Sequence, residues 1–312
     1  MASIVKPADS LWKDAFRRLL KNKVAVAGGG IIIVLTFIAV FAPLIAPYHF
    51  AEANFEETFS APGGRYLLGT DFLGRDMLSR LLYGTRISLA VGTLGALFAF
   101  TIGVLYGTLS GYVGGRVDNI MMRLVDVLYA FPSLLFIILL MVVFKTSFSA
   151  GVEVVRGPIV LAIVALDRFL GGMLFILIGI SLTSWIGVAR LSRGMALSLR
   201  EMEFVQAAKA LGAGHFRIIV RYLAPNLVGP LIVNITLSIP GFIATEAFLS
   251  FIGLGVDPPT PSWGAMIQDG VRAMRGHPHL AIYPGIALAL AMLSFAFLGD
   301  GLRDALDPRL KQ

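Results

Sequence analysis

Six stretches of this 312-residue chain carry no Asp, Glu, Lys or Arg: Val24–Ala51, Ile87–Gly115, Val127–Phe144, Phe169–Ala189, Tyr222–Thr245 and Gly276–Gly299. Each holds 18 residues or more, about the length a helix needs to cross roughly 30 Å of hydrocarbon. The chain therefore reads as an all-α, polytopic membrane bundle of six transmembrane helices. Composition agrees, at 57% hydrophobic and 14% charged, against about 45–50% and 25% for soluble domains. Basic residues precede the first run, but that run exceeds the roughly 7–15 residues of a signal peptide, so it is read as retained.

Charge distribution sets the orientation. With the N-terminus inside, segments 1–23, 112–123, 190–223 and 300–312 hold 17 of the 26 Lys and Arg residues, the positive-inside bias. Both termini are then cytoplasmic. The net charge of +7 thus reports topology; no aromatic or glycine-rich basic cluster points to nucleic acid. There is no cysteine, which excludes disulfides and thiol chemistry.

Along the chain, "SLWKDAFRRLLKNK" at 10–23 places Leu11, Ala15, Leu19 and Leu20 at helical spacing. That suits an amphipathic helix on the membrane surface, although a plain basic flank explains it equally well. Pro43 and Pro47 are expected to stop the first span. In the outside loop, Asp71, Arg75, Asp76 and Arg80 have spacings that favour ion pairs on a short helix. Span 2 is rich in glycine, which lets membrane helices approach closely. Segment 145–168 has two readings, an interfacial helix or an outside extension of span 4.

Catalytic constellations are missing. No HExxH surrounds His49, His215, His277 or His279, and no G-x-x-x-x-G-K-[ST] cradles phosphates. An enzyme reading has nothing to stand on, and energy from ATP would have to arrive through a partner. Ionisable groups near the spans are the remaining polar candidates. Asp126 sits three residues after Arg123 and is expected to pair with it. Glu246 lies deeper, with Asn234 nearby in sequence; lining a pathway and pairing with a neighbouring subunit both remain open for it.

The stretch "EFVQAAKALGAGHF" at 203–216 stands apart. Phe204, Ala207, Ala208 and Leu211 form one helical stripe, with Glu203, Gln206 and Lys209 off it. Gly212 follows where helices commonly end in a left-handed residue. A short amphipathic helix in a basic cytoplasmic loop fits docking into a groove; a membrane-surface helix and packing within the chain are the alternatives.

This segment resembles the EAA loop of membrane subunits in binding-protein-dependent ABC importers. That pattern reads E-A-A, three residues, G, nine residues, I-x-L-P. Ala207, Ala208, Gly212 and Pro225 match, while Gln206, Tyr222 and Ala224 replace the Glu, Ile and Leu. "LGTDFLGRDMLSRLLYGTRISL", "PPTPSWG" and "GDGLRDALDPRL" are similar to the C-type subunit of the dipeptide/oligopeptide/nickel permease family. The resemblance runs over most of the chain from residue 12 onward.

The resemblance implies a type I ABC importer permease working by alternating access in a bacterial or archaeal plasma membrane. Its expected partners are a homologous B-type permease subunit, two cytoplasmic ATPases that bind the ATP and magnesium, and an extracytoplasmic substrate-binding protein. Residues 203–212 would be the ATPase-coupling helix. Loop 256–280, with Pro258, Pro259, Pro261 and Trp263, would face the binding protein. The expected map is a cytoplasmic segment 1–23, a first span 24–46, an outside loop 47–85, a five-helix core 86–300 with coupling loop 195–225, and a tail 301–312. Dipeptides, oligopeptides, glutathione-like peptides and nickel complexes are all compatible cargo. A stand-alone channel or ion-coupled carrier is the different-class alternative; it would require conducting charges in several spans.

Overall fold

The computed structural model describes residues 11–149, 162, 163, 165–167 and 170–306. Two short helical pieces in 162–167 are all that is described between 150 and 169, so the expectation for 145–168 falls largely outside the described residues, as does the end of the tail.

The helices are α1 (Leu11–Lys21), α2 (Lys23–Ile45), α3 (Met77–Val113), α4 (Gly115–Tyr129), α5 (Ser133–Ser149), α6 (Leu174–Arg200), α7 (Glu203–Ala210), α8 (Ala224–Phe251), α9 (Trp263–Arg272) and α10 (His279–Leu306). A helical turn His215–Ile218 and a π-helical turn Ile219–Leu223 lead into α8. Among the described residues, five helices are long and apolar enough to cross a membrane, and the bent pair α4 and α5, taken as one span, makes six. The six-span expectation holds, with one correction. Span 3 is not straight: α4 and α5 meet at 77°, with Pro132 in the break, where proline removes a backbone donor. The first span ends at Ile45, within the stretch where Pro43 and Pro47 were expected to stop it, although Pro43 itself lies inside α2.

Glycine decides the central contact. α3 lies against α6, α8 and α2, and its side facing α6 presents Gly103, Gly107 and Gly111. A Cβ at Gly103 would stand 2.6 Å from the Val188 Cβ, and one at Gly111 2.5 Å from the Arg193 carbonyl oxygen. At Gly107 it would fall on the Ala189 carbonyl and the Ser192 hydroxyl. With no side chains between them, the two backbones touch, and the Ser192 hydroxyl donates across to the Gly103 carbonyl at 2.9 Å. Small residues and interhelical hydrogen bonds drive such association where lipid is as apolar as leucine.

Other helices dress this pair. α2 packs on α10 and turns Ile33, Phe37, Val40 and Leu44 outward, as lipid-facing residues require. α1 buries Ala15 and leaves Phe16 and Leu20 exposed at 59% and 54%, the amphipathic arrangement its sequence pattern anticipates. Leu19 reaches toward Gly301 of α10.

We expect Gly107→Val to prevent α3–α6 closure. Overpacking a tight core costs about 1–3 kcal/mol, and two backbones in contact leave little room for relief. Melting of the purified subunit in detergent should fall by several degrees. Gly187→Ala, whose added Cβ meets nothing within 4 Å, should leave it unchanged.

Candidate functional site

At one end of the bundle, α6 ends at Arg200 and the chain turns at once into α7. Gly212 takes φ +78°. The Ala213 N–H donates to the Ala208 carbonyl at 3.0 Å and the Gly212 N–H to the Lys209 carbonyl at 2.9 Å. These two bonds make a Schellman ending. The expected stripe divides in two. Ala208 turns inward with Val205, 4% and 0% exposed, and Val205 joins the core of Tyr112, Ile218, Leu223 and Leu227. Phe204, Ala207 and Leu211 stay outside, and Leu211 is 89% exposed. Phe216, which the sequence reading did not single out, adds a further exposed ring at 80%.

The polar residues off the stripe tie α7 to the bundle. The Gln206 side-chain amide donates to the Arg200 carbonyl at 2.9 Å, satisfying a C-terminal carbonyl of α6. A carboxylate there has no proton to give. The Arg200 guanidinium donates to the Gly111 carbonyl at 3.3 Å. Lys209 lies over the Tyr112 ring, and the Tyr112 hydroxyl and His215 Nδ1 are 2.8 Å apart. Glu203 is exposed in the first turn of α7. Between α7 and the end of α3 lies a cleft of about 580 Å3, lined by Tyr112, Arg200, Gln206, Lys209 and His215 among others.

One turn up, Asp118 of α4 and Arg193 of α6 form a bidentate pair with both bonds at 2.6 Å, and the Ser110 hydroxyl adds a third bond to Asp118. The sequence reading missed this pair. Asp126 does not bond Arg123; it accepts from Arg190 of α6 at 2.6 Å, with Arg190 stacked 4.1 Å from the centroid of the Tyr129 ring. The i,i+3 expectation fails because α6 presents a better-placed cation than the helix carrying Asp126 does.

Glu246 is fully buried inside this chain rather than on an exposed face. The hydroxyls of Ser88 (α3) and Ser250 donate to it at 2.8 and 2.7 Å. The Trp263 N–H donates to Ser88 Oγ at 3.3 Å, so one carboxylate knits α3, α8 and the start of α9. Asn234, by contrast, is exposed.

At the opposite end of the bundle, Asp71 and Arg75 pair at 2.6 Å, and Arg80 approaches the same carboxylate at 3.5 Å. Three of the four charges precede the helix: Asp71 and Arg75 belong to a turn, and Asp76 caps α3 by accepting from the Ser79 N–H at 2.7 Å. The expected short helix is therefore absent, but the i,i+4 pair is real. Arg75 also reaches Asp269 of α9 at 3.9 Å, where burial pushes the Asp269 carboxyl above the usual range against the pull of Arg80 and Arg75. In the loop itself, Pro258 and Pro259 are exposed, whereas Pro261 and Trp263 are buried, and Trp263 fills the core beside Leu89 and Ile243. Arg80 donates to the Pro259 carbonyl at 3.4 Å.

Residues 103–312, from mid-α3 onward, match the family described as the inner membrane component of binding-protein-dependent transport systems. The chain belongs to this family. Residues 10–62 match a second description, the N-terminal transmembrane domain of oligopeptide transport permease C. The permease is 42% identical over 311 residues to the dipeptide transport system permease protein DppC of Bacillus subtilis, covering 99% of this chain and 89% of the relative. It is 40% identical to the oligopeptide permease protein OppC of the same organism, with 99% and 93% covered. It is 39% identical to the glutathione permease protein GsiD of Pectobacterium atrosepticum, with 96% and 92% covered. Its fold is that of a chain in the inward-facing MetNI methionine ABC transporter: TM-score 0.51 at 16% identity, over 74% of this chain and 98% of that one. The chain is a multi-pass permease subunit of an ABC importer and works with other components of such a system.

Removing Asp71 would leave Arg75 and Arg80, both nearly buried, without their carboxylate. Breaking a buried pair from one side costs about 3–5 kcal/mol. Asp71→Ala should therefore lower the melting temperature of the detergent-purified permease sharply. Arg65→Ala, which breaks a surface pair with Glu57, should not move it.

Proposed function

We propose that this permease forms half of the pathway by which an ATP-driven importer carries dipeptides and oligopeptides into the cell. A homologous B-type subunit supplies the other half. Two cytoplasmic ATPases bind ATP and magnesium, and an extracytoplasmic binding protein delivers cargo to loop 256–280, where Pro258 and Pro259 are exposed. Both termini lie in the cytoplasm, in keeping with 17 of 26 basic residues on that side. The peptide cargo rests on the relatives named for dipeptides and oligopeptides at 42% and 40% identity. A glutathione-like cargo is the second reading, favoured by the relative of that name at 39%.

The observation that carries the coupling role is the exposed face of Phe204, Ala207, Leu211 and Phe216 in a basic loop. A groove on one ATPase that buried Phe204 and Leu211 would gain about 1.5–3 kcal/mol from each. Glu203, Gln206, Lys209 and Gly212 shape the helix, while Ala208 anchors it from inside. Closure of the ATPase pair would pull this helix and switch the permease pair from inward- to outward-open, by rigid-body motion about a midplane site.

Leu211→Asp changes a side chain that touches little of the subunit, and Gly212→Val forces a β-branched residue to φ +78°. Both variants should insert and assemble into the membrane normally. In proteoliposomes holding the whole importer, both should lose most peptide uptake and transport-stimulated ATP hydrolysis. Normal uptake by both would rule out docking through this helix.

A further inference from the structure

Inside the membrane, the break between α4 and α5 coincides with three other features. The first is a cavity of about 440 Å3 lined by Tyr129, Phe131, Phe136, Thr183 and Gly187 among others, a size in the range of ligand pockets. Gly187 lies near the end of the charge-free run Phe169–Ala189, three residues before Arg190, so the cavity lies toward the 190–223 end of that span. The second is the Asp126–Arg190 pair at its rim, whose side chains are 65% and 38% exposed. Asp118–Arg193, with side chains 7% and 33% exposed, is by comparison a buried clamp held further by Ser110. The third is Tyr129, which belongs to the cavity wall and holds the Arg190 guanidinium on its ring.

Charges this exposed on spanning helices must face water or another protein surface, because hydrocarbon disfavours both. Interrupted helices are likewise tolerated where they line a cavity. A peptide with free ends carries an ammonium and a carboxylate, the two charges that this pair offers partners for, and side chains of variable apolarity. Resting on the reading of the chain as a peptide permease, we propose that this site is a waypoint for zwitterionic peptides in transit. Asp126 receives the cargo ammonium, Arg190 receives its carboxylate, and the side chains lie in the aromatic cavity. The pair closes on itself when no cargo is present. Stacking on Tyr129 keeps Arg190 in place while Asp126 is engaged elsewhere. Weak, exchangeable ionic contacts suit a station that must release what it binds.

The test uses the whole importer in proteoliposomes, with a radiolabelled dipeptide and a dipeptide carrying a diazirine side chain. Asp126→Asn and Arg190→Gln should assemble with the partner subunits normally. Their maximal uptake should fall about tenfold, the equivalent of about 1.4 kcal/mol, with unchanged half-saturation for the loaded binding protein. Photo-crosslinks of the wild type should map to 128–136 and 182–187 and weaken in both variants. The double exchange of Asp126→Arg with Arg190→Asp keeps an ion pair but reverses its polarity; it should not restore uptake, and full rescue would mark the pair as structural and overturn the waypoint. Peptide import by the wild type with undiminished uptake in the variants overturns the waypoint alone. A wild-type importer that carries no peptide overturns the functional reading with it.

Discussion

Backbone contact between α3 and α6 is the constraint on which the permease depends. Lipid gives two helices no hydrophobic reason to associate, so affinity has to come from close packing and shared hydrogen bonds. Gly103, Gly107 and Gly111 recur every fourth residue, and α6 presents the Val188, Ala189, Ser192, Arg193 and Ala196 surface to that line. A helix turns about 100° per residue, so a slip of one residue in either helix would replace the glycine face with bulk. The same register sets which charges meet. It puts Arg193 opposite Asp118 and Arg190 opposite Asp126, each joining α6 to the helix that follows α3.

That register makes α3 and α6 one mechanical unit with a handle at each end. At one end α6 runs into α7 after two residues, and three side-chain contacts brace the corner: Arg200 to the Gly111 carbonyl, Gln206 to the Arg200 carbonyl, and Tyr112 beside His215. A push on Leu211 or Phe216 therefore reaches the glycine seam without passing through a flexible linker. At the opposite end Asp76 caps α3, and the Asp71, Arg75 and Arg80 cluster attaches that end to α9. Glu246 performs the same service in the interior, joining α3 to α8 and to Trp263 through serine hydroxyls. Transmission by packed and hydrogen-bonded elements of this kind suits rigid-body switching.

What could be read from the sequence follows from what lipid and local geometry dictate. The spans were legible because hydrocarbon excludes charge over a fixed length. The Gly212 ending was legible because left-handed backbone has few residues that fit it, and the Asp71–Arg75 pair because four residues separate its members. Partners brought together by folding were not. Ser88 answers Glu246 across 158 residues and Arg190 answers Asp126 across 64, and no local rule ranks these above Arg123. The straight span over Val127–Phe144 was misread for a related reason: absence of charge reports the solvent, not the path of the helix, and Pro132 was the available sign of a break. Ala208 turned inward because a wheel gives relative angles on a helix without saying which side the bundle occupies.

Exposure alone does not say what a membrane subunit meets; the surroundings of the exposed group do. Leu44 and Leu211 are 82% and 89% exposed, yet they answer to different neighbours. Leu44 lies in the charge-free run Val24–Ala51, flanked by other outward apolar residues, so lipid covers it. Leu211 and Phe216 sit among Lys209, Arg217 and Arg221, where the charges exclude the bilayer core and water disfavours the apolar side chains. A protein surface satisfies both. Asp126 and Arg190 present the converse, two exposed charges next to Tyr129 of the cavity wall, where hydrocarbon is disfavoured and water or a polar group answers them. The same criterion thus separates the lipid belt, the proposed docking face and the proposed cargo station on one subunit. It does so because each environment rejects one class of side chain, and folding placed these groups where the rejection leaves a single kind of neighbour.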